Sequence, residues 1–161
     1  MDGNELVKLY EFGLGATKLN LRDITQEDSL RPSPGGANPL NWVVGHMVAS
    51  RGLALRLLQA EPIWDAETAA MYSGQEDAVF EPGRALPLER LLADLDASQE
   101  RLATALRAAT PELLATPARR GTVADTLVFL YFHEGYHAGQ LGLLRRFLGK
   151  AGVIKAPRSA G

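Results

Sequence analysis

The segment TLVFLYFHEGYHAGQLGLLRRFL, residues 126–148, has a helical period and carries His133-Glu134-Gly135-Tyr136-His137 at its centre. Stepping by threes and fours, Leu130, His133, His137, Leu141 and Leu144 fall on one stripe, with Gln140 beside it. Two histidines four apart stand one turn above each other, so both imidazoles can close on one ion without bending the backbone. An imidazole turned into an apolar core without a partner is costly to bury, and a metal ion removes that cost. The plain alternative is a pair of histidines packed simply as core residues.

The chain holds only three histidines, and the third, His46, lies in the apolar run Trp42-Val43-Val44-Gly45-His46-Met47-Val48. Three neutral imidazoles can hold zinc, nickel, iron or manganese and leave a coordination position open. His46, His133 and His137 are therefore the expected ligands of one divalent ion, with zinc or nickel favoured. His133-Glu134-Gly135-Tyr136-His137 also fits the zinc metalloprotease pattern H-E-x-x-H, in which the glutamate is a general base. That pattern takes its third ligand downstream, yet no Asp, Glu or His follows His137 up to Gly161. The third ligand would have to be His46, and no strand pattern offers a substrate-binding edge. Glu134, about a quarter-turn from His133, suits the surface or a helix interface better.

Outward from this segment the chain reads as four helices. The first runs from Asn4 to about Ile24, with Val7, Tyr10, Leu14, Thr17, Leu21 and Ile24 at helical spacing. Gly13 and Gly15 weaken it and leave room for a close neighbour. Thr25 to Ala37 has no apolar period and reads as a loop. Asn38 as N-cap and Pro39 at the first helical position start the second helix, which reaches about Ala60 and turns Val43, His46, Met47, Ser50, Leu53, Ala54 and Leu57 inward. From Glu61 to Pro87 the period is lost. This long connection carries Trp64, Tyr72 and Phe80 as packing residues and either crosses the helices or covers a site. Pro87 opens a third helix to about Ala109, and Thr110-Pro111 caps one extra turn through Leu114. Thr122 with Asp125 forms the capping box of the fourth helix, which ends near Gly149, and the tail from Lys155 is expected to be loose. Four helices with matched apolar faces and no alternating strand pattern predict an all-α four-helix bundle in one domain spanning residues 1–161.

Composition narrows the function. Of 161 residues, 46% are hydrophobic, which suffices for one core. Seventeen basic against nineteen acidic residues give a net charge of -2, so neither a nucleic acid nor an anionic membrane is an expected partner. With no cysteine, disulfides, thiolate ligands and a cysteine nucleophile are excluded together. The polar start and the lack of a long apolar run point to the cytoplasm.

The tryptophan and histidine of Trp42-Val43-Val44-Gly45-His46, joined to His133-x-x-x-His137-x-x-Gln140-Leu141, resemble the DinB/YfiT-like superfamily. The likeness covers nearly the whole chain, including Leu21-Arg22-Asp23-Ile24-Thr25, the Pro-Gly loop and the long connection. It implies an up-down-down-up bundle whose crossover is the 61–87 segment, often a homodimer, with a divalent metal held by His46, His133 and His137 and Gln140 in a structural role. It further implies a thiol-S-transferase using a low-molecular-weight thiol, a thiol-dependent isomerase, or a metal-dependent hydrolase acting on a small-molecule substrate. A binding module without turnover is the alternative from another class. The resemblance assigns no catalytic acid or base, and Glu27, Asp28, Glu134 and Tyr136 are the residues that can be weighed for that role.

Overall fold

The computed structural model describes residues 1–74 and 81–153, so Phe80 and the tail from Lys155 lie outside the described residues. Four long helices dominate: α1 (Gly3–Leu21), α3 (Leu40–Leu57), α5 (Leu88–Ala108) and α7 (Val123–Phe147). The connections hold short helices α2 (Gln26–Leu30), α4 (Ala66–Ala70) and α6 (Pro111–Leu114). Among the described residues the strands are β1 (Pro117–Ala118) and β2 (Gly121–Thr122), an antiparallel pair with Pro117 opposite Thr122. The chain is all-α, as expected, with a small hairpin that two-residue strands could not announce in the sequence.

Local chemistry explains where the helices begin. The Asp2 carboxylate accepts the Glu5 N–H while the Glu5 carboxylate accepts the Asp2 N–H, and Thr122 and Asp125 make the same exchange at the start of α7. Thr25 and Asp28 form a third capping box and start α2, inside the stretch that reads as a loop in the sequence. Five residues are too few for an apolar period to appear. Asn38 does not cap α3: Pro39 is extended, the helix begins at Leu40, and the Asn38 carbonyl accepts the Ser33 hydroxyl at 2.9 Å.

α1 and α3 each pack against both α5 and α7. Tyr10 donates to the Leu127 carbonyl and Asn20 to the Ala138 carbonyl, so α1 and α7 advance together. Lys18 meets Asp96 while Glu11 meets Arg107, so α1 and α5 run in opposite senses. Asn41 reaches the Leu86 carbonyl and Arg51 that of Leu95, so α3 and α5 advance together.

Two apolar clusters fill the interior. One gathers Leu6, Tyr10, Leu55, Leu102, Leu106 and Leu127, and the other gathers Leu40, Val44, Met47, Leu91, Leu95 and Leu141. Burial at roughly 25 cal/mol per Å² of apolar surface makes these clusters the main source of stability. Leu53 was expected inward but is half exposed. Gly15 has open space beside it and Gly13 has Glu134 and Tyr131 at ordinary van der Waals distance; the close approach falls at Gly3, where a Cβ would lie 1.9 Å from the Leu106 carbonyl oxygen. Among the described residues no helix is long and apolar enough to cross a membrane.

Candidate metal centre

The antiparallel contact between α3 and α7 brings the three histidines together. Nε2 of His133 lies 3.0 Å from Nε2 of His137 and 3.3 Å from Nε2 of His46. Their ligand atoms all fall within 4.8 Å of one another, and no carboxylate joins the cluster among the described residues. Two nitrogens bound at about 2.0–2.1 Å to one tetrahedral ion stand roughly 3.3 Å apart, close to the spacing seen here.

The outer nitrogens show what the inner ones must do. His46 Nδ1 is 2.7 Å from the Tyr72 carbonyl, which can only accept, so its proton sits on Nδ1. His137 Nδ1 is 2.6 Å from Gln140 Oε1, while the Gln140 amide nitrogen donates to the Tyr136 hydroxyl at 3.2 Å. Both rings therefore aim an Nε2 lone pair at His133 Nε2, which carries at most one proton when neutral. At least one contact then sets lone pair against lone pair. A cation among the three nitrogens resolves that conflict, and carbonyl-oriented imidazoles are the usual surroundings of a metal-binding histidine. The donor set thus fits a divalent ion.

Burial, full at His137 and partial at His46 and His133, favours the neutral form of all three rings. It pushes the His46, His133 and His137 pKa values below the ordinary 6.5, His137 to about 4, with mutual repulsion adding to the effect at His133 and His137. A neutral imidazole is the form that ligates. Aromatic rings flank the cluster: Trp42 stacks on His46 at 4.6 Å, Phe129 lies 6.4 Å from His133, and Tyr136 meets His137 edge-on at 5.2 Å. Gly45 is required beside this group, since a Cβ there would lie 2.2 Å from the Tyr72 ring. The carbonyl that orients His46 could not approach past a larger residue.

A profile of the DinB superfamily matches residues 15–141. The chain belongs to the DinB superfamily. The match spans α1 from Gly15, all of α3 and α5, and α7 as far as Leu141, so the three histidines of this DinB chain lie inside it. No curated protein and no solved structure matches.

The other candidates separate. Glu134 is buried and bound to Arg51, which leaves the H-E-x-x-H glutamate in an ion pair and turned from the histidine cluster. Asp28 caps α2 and pairs with Lys150 at 3.1 Å; the Thr25 N–H is the chief cause of its lowered pKa. Lys150 lies beyond Phe147, the end of α7, which is itself ten residues or about 15 Å of helix from His137, so this pair stands away from the cluster. Glu27 is exposed on α2. Tyr136 alone lies beside the cluster, through Gln140 and His137.

Sequence reasoning placed Tyr72 as a packing residue, which it is, but foresaw neither its carbonyl's bond to His46 nor the part of Arg51. A backbone carbonyl leaves no trace in residue type. Arg51 left no distinct trace either, since it shares α3 with Arg56, which is exposed, and residue type alone does not tell the two apart.

Proposed function

We propose that this DinB chain is a metal-dependent enzyme in which His46, His133 and His137 hold one divalent ion, zinc or nickel in preference to manganese or iron. The observation that carries the reading is the convergence of three Nε2 atoms whose outer nitrogens, in two rings, are already committed to carbonyl oxygens. An ion there supplies Lewis acidity, lowering the pKa of a thiol or water that shares it. The chain's own residues do the rest. Tyr72 and Gln140 fix the tautomers, and the rings of Trp42, Phe129 and Tyr136 give the cluster an apolar surround.

The reaction we favour is transfer of a low-molecular-weight thiol to a small electrophile. The chain has no cysteine of its own, so a thiol nucleophile must come from a cosubstrate. A soft thiolate also suits an imidazole-held zinc or nickel site. The Tyr136 hydroxyl is the nearest candidate for a proton-handling group, and no carboxylate competes with it in the cluster among the described residues. Activated water in a hydrolase is the second reading. Rates for a panel of small thiols with a generic electrophile, and for ester and amide substrates, measured with and without metal, separate the two. Metal-dependent thiol transfer is expected. Metal-dependent ester or amide cleavage without thiol transfer would favour the hydrolase, and inactivity on every substrate would favour a binding module.

The helix directions described above support reading α1, α3, α5 and α7 as an up-down-down-up bundle in one domain, with residues 61–87 as the crossover. A cytoplasmic homodimer completes the proposal. Its face would be the exposed apolar residues Phe132, Tyr136, Leu143 and Phe147 of α7 with Phe12 of α1, each more than half exposed.

A further inference from the structure

Arg51 and Glu134 are almost wholly inaccessible, with side-chain exposures of 0% and 1%. The pairing is two-pronged: Nε donates to Glu134 Oε1 at 2.6 Å and one terminal nitrogen to Oε2 at 3.1 Å. The other terminal nitrogen donates to the Leu95 carbonyl at 3.0 Å and the Ser98 hydroxyl at 3.2 Å. Gly13 of α1 faces the pair: a Cβ there would lie 3.6 Å from Glu134 Oε2. The ion pair thus bonds α3, α5 and α7 together and faces α1.

Glu134 sits directly after His133 and three residues before His137, and Arg51 sits five residues after His46. His133 is also the histidine whose outer nitrogen is buried without a hydrogen-bond partner among the described residues. Nothing but ring packing and the rotation of α7 aims it. We propose that Arg51 and Glu134 are positioning residues for the three-histidine site: the fork-to-carboxylate bond fixes the rotation and register of α7 on α3, and so sets where His133 and His137 stand relative to His46. A planar guanidinium bound two-pronged to a carboxylate restricts rotation and register more sharply than apolar contact of similar volume. This rests on the metal-site reading above.

The decisive variant removes both charges, since removing one leaves the other buried and uncompensated. Arg51→Met/Glu134→Leu keeps the net charge and fills the space, and such replacements commonly leave stability unchanged or improved. Zinc affinity, measured by competition with a chromophoric chelator, is expected to fall about 10- to 100-fold, the range typical when residues supporting metal ligands are lost. The melting temperature of the zinc-free protein is expected to be held or raised. Zinc affinity equal to that of the parent in the folded double variant overturns the proposal. Arg51→Lys, which retains the charge and loses the fork, carries the same test if the double variant does not fold: weaker zinc binding is expected, and unchanged binding overturns the positioning role. A parent protein that binds no zinc, nickel or manganese rejects the metal-site reading itself, and the positioning role with it.

Discussion

At the scale of single residues the cluster behaves as a unit whose parts can be removed separately. His137→Ala is expected to abolish metal binding while the circular dichroism of the helices persists, because buried leucines such as Leu102, Leu106, Leu127 and Leu141 supply the core. Loss of helical signal with or without metal would instead assign His137 to packing. Gly45→Ala sets a methyl group into the Tyr72 ring, where the built Cβ is 2.2 Å away. The predicted cost is about 1–3 kcal/mol of overpacking, read by chemical denaturation, together with weaker zinc binding as the Tyr72 carbonyl is displaced from His46. The sign of the pH dependence also follows. All three folded-state histidine pKa values lie below the ordinary 6.5, and His137 reaches about 4. As pH falls from about 6.5 toward 4, the unfolded chain takes up protons that the folded protein refuses, so the metal-free protein loses stability on acidification and regains it above 6.5. Denaturation midpoints at pH 7.5 and pH 5 check this, and a metal-free protein more stable at pH 5 would contradict rings kept neutral in the folded state.

At the scale of elements, legibility depended on length. The 25-residue α7 shows its period, its capping box and its inward histidines in the sequence alone, because three and four residue steps repeat often enough to be seen. α2 and α4, five residues each, have no room for a period. Thr25 and Asp28 nonetheless repeat the spacing used to place Thr122 and Asp125, so the signal for α2 was present as chemistry and lacked only periodicity. Leu53 shows the converse: apolar type argues for burial, yet the arc of α3 that contacts α5 and α7 leaves it half exposed. The capping boxes carry measurable weight. Thr122→Ala is predicted to destabilise the protein by about 1 kcal/mol with zinc affinity retained, since the cap lies three turns before His133.

At the scale of the whole molecule, the three clustered histidines were legible and their support was not. Histidine spacing placed His133 and His137 on one face, and the apolar run around His46 turned it toward them. The Tyr72 carbonyl lies in the connection between α3 and α5, where only the folded chain brings it to His46. Arg51 and Glu134 sit at the centre of a core that apolar patterning alone would leave unpolarised. The exposed apolar residues of α7 and α1 give a further prediction: light scattering should report a dimer, and Leu143→Glu should yield a monomer of unchanged helical content. A monomeric parent protein would remove the dimer from the account.

The central claim is that three imidazoles hold one divalent ion, and elemental analysis tests it most directly. Protein purified without chelator is predicted to carry close to one divalent metal per chain, and His46→Ala, His133→Ala and His137→Ala proteins almost none. A parent protein with no metal, and no gain in thermal stability when zinc, nickel or manganese is added, would contradict the claim and leave the histidines as packing residues.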